Sequence, residues 1–111
     1  MKKVYIIVPK KLGTNPPVEV GHGFMAAQVH HATVLACNSG FKIDHQEDAV
    51  IVLQVPNQAA LLHVADRIAK AEVGYRIYFE RSKLFLGATP TAVISESTYE
   101  LYWMHEYELW S

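Results

Sequence analysis

Two short apolar runs, Val4-Tyr5-Ile6-Ile7-Val8 and Ala49-Val50-Ile51-Val52-Leu53-Gln54-Val55, constrain this chain most. Each is rich in β-branched residues, lacks strict polar alternation and ends at a proline, which is the pattern of a strand buried on both faces. Between and after them lie helical periodicities. The stretch from about Gly23 to Cys37 predicts a first helix, with Asn38-Ser39-Gly40 as its stop signal. Asn57 is placed to cap a second helix over Gln58 to Lys70, whose apolar stripe is Leu61, Leu62, Val64, Ala65, Ile68 and Ala69. Tyr75 to Phe79 alternates as a third strand with Arg76 and Tyr78 on one face, and Thr91 to Ser95 reads as a fourth. Ser95 or Ser97 is expected to cap a short helix through about Met104, and Tyr107 to Trp110 to return as a strand. Lys10 to Val20, stiffened by Pro16-Pro17, and Phe41 to Asp48 read as connections. Alternating strands and helices predict a single α/β domain over residues 1–111, a three-layer α/β/α arrangement around a small, mixed but mainly parallel sheet.

A chain of 111 residues with 50% hydrophobic composition has enough apolar material for one core. No apolar run approaches the roughly 20 residues needed to cross a bilayer. Val4 to Val8 is too short for a signal peptide and leads into Pro9-Lys10-Lys11, so a cytoplasmic protein is expected. Cys37 is the sole cysteine, which excludes an internal disulfide and a cysteine zinc cluster. The net charge of −1 does not mark a nucleic-acid binder. Its distribution is uneven, since residues 1–42 carry Lys2, Lys3, Lys10, Lys11 and Lys42 against Glu19, whereas residues 96–111 carry four glutamates and no lysine or arginine.

The segment Gly21-His22-Gly23-Phe24-Met25-Ala26-Ala27-Gln28-Val29-His30-His31-Ala32 runs from a glycine-bracketed loop into a helix of small residues. Phe24, Gln28 and His31 fall at i, i+4 and i+7 on one stripe, and Met25, Ala26, Val29, Ala32 and Ala36 form an adjoining apolar face. The stripe begins at a helix N-terminus, where unpaired N–H groups favour phosphate or a developing oxyanion.

This segment resembles the opening motif of the type 2 peptidyl-tRNA hydrolases, in which a Gly-Lys-Gly-Lys loop precedes Ala-Ala-Gln and a His-Ala pair. Gly87-Ala88-Thr89-Pro90-Thr91-Ala92-Val93 is similar to that family's Pro-Gly-Thr-Pro-Thr segment, and the likeness runs in order over nearly the whole chain. It implies hydrolysis of the ester between a peptide and tRNA, with no cofactor and no metal. Matched residue by residue, it implies catalytic roles for His22, Glu80 and Thr89 and substrate contacts from Gly21, Gly23, Gln28, His31 and Thr91.

The chain departs from the family at the glycine loop, where His22 and Phe24 stand in place of the lysines and remove the cation that holds phosphate or stabilises an oxyanion. Histidine titrates near neutrality, so His22 is the substitute base or phosphate ligand. Glu80 is the best carboxylate in a loop about two residues shorter than the family's; the resemblance also implies a nearby threonine in that loop, whose place Ser82 or Lys83 would take. His30 and His31 diverge by about 100° on a helix, and with His45 and His63 they make no metal-ligand spacing. The C-terminal aromatics Tyr99, Tyr102, Trp103, Tyr107 and Trp110 sit among acidic residues that repel phosphate, so core packing or a homodimer interface is expected there. The leading expectation is a peptidyl-tRNA hydrolase. Its alternative is a catalytically diverged tRNA-, nucleotide- or protein-binding module, and a third reading is another hydrolase on the same scaffold.

Overall fold

The computed structural model describes residues 2–13, 16–44, 46–81 and 88–110. Its elements in order are β1 (Lys3–Pro9), β2 (Lys11–Leu12), β3 (Val18–Glu19), α1 (His22–Asn38), β4 (Ala49–Val55), α2 (Gln58–Lys70), β5 (Tyr75–Arg81), β6 (Ala88–Ser97), a 3-10 helix over Tyr102–Glu106, and β7 (Glu108–Leu109). The main sheet has the order β5-β6-β1-β4-β7.

The sheet is mixed but not mainly parallel, which corrects the expectation from sequence. Only β1 and β4 pair in parallel, while β1–β6, β4–β7 and β5–β6 are antiparallel. The cause lies in the connections. Strands β1, β4 and β5 run the same way, as their helical crossovers require. Strand β6, the next strand after β5, runs back antiparallel to it and inserts between β5 and β1. Lys11–Leu12 and Val18–Glu19 also pair as a small separate ribbon inside what reads as a loop, with Leu12 buried.

Residue alternation along β1 divides the core in two. Val4, Ile6 and Val8 pack with Met25, Ala32 and Ala36 of α1 and with Phe41, Ala92 and Ile94. Tyr5 and Ile7 pack with Leu53, Val55 and Val93 and with Leu61, Val64, Ala65 and Ile68 of α2. Each large aliphatic side chain so enclosed contributes about 1.5–3 kcal/mol of transfer free energy. The Asn57 side chain caps α2 as expected, accepting from the Ala60 N–H at 2.9 Å. In α1 the buried stripe is Met25, Gln28, Ala32 and Ala36, so Gln28 joins the inward face and Ala26 is exposed.

Ser95 and Ser97 do not cap a helix. Both belong to β6, where Lys3 and Ser97 are register partners, and the Ser97 hydroxyl closes a turn by accepting from the Tyr99 N–H and donating to the Tyr99 carbonyl. Helical structure starts only at Tyr102, and Leu101 and Met104 enter the core beneath α2. The segment after β6 is tied down by ions. Lys3 Nζ lies 2.9 Å from Glu100, Arg67 2.8 Å from Glu106, and Lys10 Nζ 2.8 Å from Glu108. The Arg67 guanidinium also lies 4.3 Å from the centre of the Trp103 ring.

These pairs hold three carboxyls below the ordinary glutamate value: Glu100 through Lys3 first, Glu106 through Arg67 and Glu108 through Lys10. A depressed folded-state pKa gives stability that is present above the unfolded value and lost as pH falls through the folded one. Acidification below about pH 4.5 is therefore expected to loosen residues 100–110 first. Both tryptophans, Trp103 and Trp110, lie in this segment. Their emission should shift to the red before far-UV circular dichroism collapses, and a single coincident transition would contradict this. Among the described residues no helix is long and apolar enough to cross a membrane.

Candidate functional site

Helix α1 opens at Gly21, an extended N-cap with φ −73° and ψ 161° and no side chain to bond the first turn. The Met25 N–H makes the first helical bond, to the Gly21 carbonyl at 3.1 Å, and the first turn holds no acidic residue. The turn's amides therefore point outward into positive potential. A Cβ at Gly21 or Gly23 would meet nothing within 4 Å, so the approach to this turn is open. The His22 ring lies 5.9 Å from that of Trp110, and the Trp110 backbone N–H donates to the Val52 carbonyl at 2.9 Å. Lys10, Glu19, His22, Gln54 and Trp110 surround a cleft of about 270 Å³. Phe24 is partly buried and packs against the α1-side core.

A second group forms further along α1, at the β5–β6 hairpin. Tyr78 pairs with Ala92 but Phe79 pairs with Pro90, so β6 carries Thr91 as an extra residue in a β-bulge. The bulge turns Thr91 to the α1 side, where its hydroxyl donates to Gln28 Oε1 at 2.6 Å. Thr91 is 0% and Gln28 2% exposed, which makes this an enclosed polar latch between helix and sheet. Past the bulge Glu80 stands opposite Thr89. Tyr78 and Glu80, two residues apart on one strand, share the α1 face, and the exposed His31 ring stacks on Tyr78 with centroids 5.0 Å apart and 25° between planes. Burial pushes the Tyr78 hydroxyl above its ordinary pKa, aided by the charge of Glu80 and a hydrogen bond with it. The phenol thus stays a proton donor. Glu80 Oε2 is enclosed without a hydrogen-bond partner among the described residues.

The expected site residues therefore fall into two groups. Gln28, His31, Glu80, Thr89 and Thr91 gather around the hairpin, while Gly21, His22 and Gly23 lie at the helix start beside β1 and β4. Both occupy the end of the sheet where β1, β4 and β5 finish. In the strand order Glu80 is two strands from β1 and three from β4, roughly 10–14 Å at the usual strand spacing. A ligand touching both groups must span that distance. Ser82, Lys83, Gly87 and His45 lie outside the described residues.

Tyr78, Lys10 and Trp110 were not singled out for the site by sequence. The signal for Tyr78 was present, since the alternation of Arg76 and Tyr78 continues to Glu80 once β5 is carried through Arg81. Among the described residues no three His, Cys, Asp or Glu side chains converge as a metal centre. The arrangement supplies the Glu80 carboxylate, whose Oε2 has no hydrogen-bond partner among the described residues, hydroxyls from Tyr78 and Thr89, an exposed imidazole, and an anion-favouring helix start. No protein-family model and no curated protein matches this chain.

Proposed function

We propose that this protein is an esterase of the peptidyl-tRNA hydrolase kind, a three-layer α/β/α domain acting on the ester between a peptide and tRNA in the cytoplasm. The observation that carries the proposal is the enclosed Glu80 Oε2, which has no hydrogen-bond partner among the described residues, on the register partner of Thr89. An acceptor in that state is suited to take a proton from water. In the proposed reaction the water oxygen bonds to the ester carbonyl carbon while Glu80 takes its proton. The bond to the ribose oxygen then breaks, and the proton passes to that oxygen. The products are a peptide carboxylic acid and tRNA with a free hydroxyl. Thr89 orients the water. The start of α1, with His22 and the neighbouring Lys10, receives the negative charge of the terminal phosphate.

One observation favours the alternative, a binding module without turnover. Phe24 is drawn into the core, which leaves the glycine loop without the family's cation at that position. The test is release of free tRNA from peptidyl-tRNA by the wild type beside His22→Ala. Release by the wild type and a weaker variant supports the hydrolase with His22 as phosphate ligand. Binding of peptidyl-tRNA without release supports the module. The exposed Tyr99, Tyr102 and Leu109 are the surface for the proposed homodimer, and a monomer mass at every concentration in sedimentation would remove it.

A further inference from the structure

We propose that the cavity between the 3-10 helix and β4 is a binding site for a small amine with an aryl or alkyl body, whose ammonium pairs with Glu100. The site lies on the α2 side of the sheet, the face opposite α1, and does not depend on the hydrolase reading.

The cavity follows from how little chain covers this face. Five strands span roughly 19 Å at the usual spacing, and one helix covers about 10 Å. Helix α2 packs mainly across β6, β1 and β5. Over β4 and β7 lies the 3-10 helix of five residues, which turns Met104 inward. Tyr5, Ile51, Leu53, Met104, Tyr107 and Leu109 thus wall a space of about 390 Å³. An apolar cavity of about 150 Å³ already admits benzene, so this one has room for a ring with a short chain. Unfilled apolar walls forfeit packing contacts, a loss that a ligand offsets.

Two observations choose the ligand. The walls are held before it arrives, since the Tyr5 hydroxyl accepts from the Leu101 N–H at 3.4 Å and the Tyr107 hydroxyl from Arg67 at 2.9 Å. Preset apolar walls suit a rigid apolar body. The rim is negative. Glu100 is the one carboxylate among the described lining residues, and no lysine or arginine lines the cavity with it. Lys3 Nζ and His105 Nε2 both reach Glu100 Oε1, at 2.9 and 3.3 Å, so an incoming ammonium meets Oε2. The Lys3 ammonium holds the carboxyl below its ordinary pKa, which keeps it anionic at neutral pH. Glu106 and Glu108 in the same segment add negative potential, which attracts a cation and repels a carboxylate.

The test is a titration of the folded protein, labelled at its methionine methyls, with phenethylamine, phenethyl alcohol and phenylacetate, followed by NMR. The Met104 methyl should shift saturably with the amine, while that of Met25, in the α1-side core, stays in place. The amine should bind roughly tenfold more tightly than the carboxylate, with the alcohol between them. Glu100→Gln should erase that preference, whereas His105→Ala, which removes an exposed ring, should keep it. No saturable shift at Met104, or equal affinity of the wild type for all three compounds, overturns the inference. The wild-type series decides the matter even where Glu100→Gln loosens the C-terminal segment. It reads binding alone, so a protein that releases no tRNA loses the hydrolase reading without touching this one.

Discussion

Glu80→Gln is expected to abolish ester hydrolysis without unfolding the protein. The exchange keeps shape and volume but replaces a carboxylate by an amide that cannot accept a proton from water. Loss of a general base lowers turnover by roughly 10²–10⁴-fold. Folding should not suffer, because Glu80 Oε2 has no hydrogen-bond partner among the described residues. An enclosed charge without full pairing costs stability, so its removal is neutral or stabilising, as is common where function sets a residue against the fold. Initial rates of tRNA release and thermal melts on the same preparations check both halves. A melting temperature that falls steeply would make Glu80 structural, and an unchanged rate would remove it as the base.

The second large effect concerns the latch beneath the site. Gln28→Ala deletes a side chain that is 2% exposed and leaves the fully enclosed Thr91 hydroxyl without its acceptor at 2.6 Å. The cavity and the orphaned hydroxyl together cost about 2–4 kcal/mol. In a domain of this size that lowers Tm by roughly 10–20 °C. Removing both polar partners is different in kind. Gln28→Leu with Thr91→Val fills the space and orphans nothing, so the double variant should recover most of the loss. Denaturant melts of the single and double variants measure the coupling. If Gln28→Ala instead leaves Tm unchanged and weakens substrate binding, Gln28 contacts substrate rather than securing α1 to the β6 bulge.

Much of this scaffold was legible in the residues. Ala49–Val55 and Gln58–Lys70 have the bounds that the apolar run, the Asn57 cap and the helical stripe predict, because each signal is local. Sheet polarity was not legible. It depends on which strands become neighbours, and a hairpin strand such as β6 enters between two others without leaving a periodic mark. The bulge at Thr91 was equally hidden, since a Thr-Pro-Thr sequence fits a regular strand as well as a bulged one. That one extra residue decides that Thr91 bonds Gln28 inside the protein. Ser95 and Ser97 carry the chemistry of helix caps, but cross-strand pairing with β1 outweighs that local preference. Gln28 looked like part of a polar stripe because a helical wheel does not reveal a buried hydroxyl waiting across the interface.

The most direct measurement is release of free tRNA from peptidyl-tRNA by the folded wild type, run beside Glu80→Gln at equal concentration. Release by the wild type that falls by two or more orders of magnitude in the variant is the predicted result. Equal release by both, or none by a wild type whose melt is native, would contradict hydrolysis at Glu80.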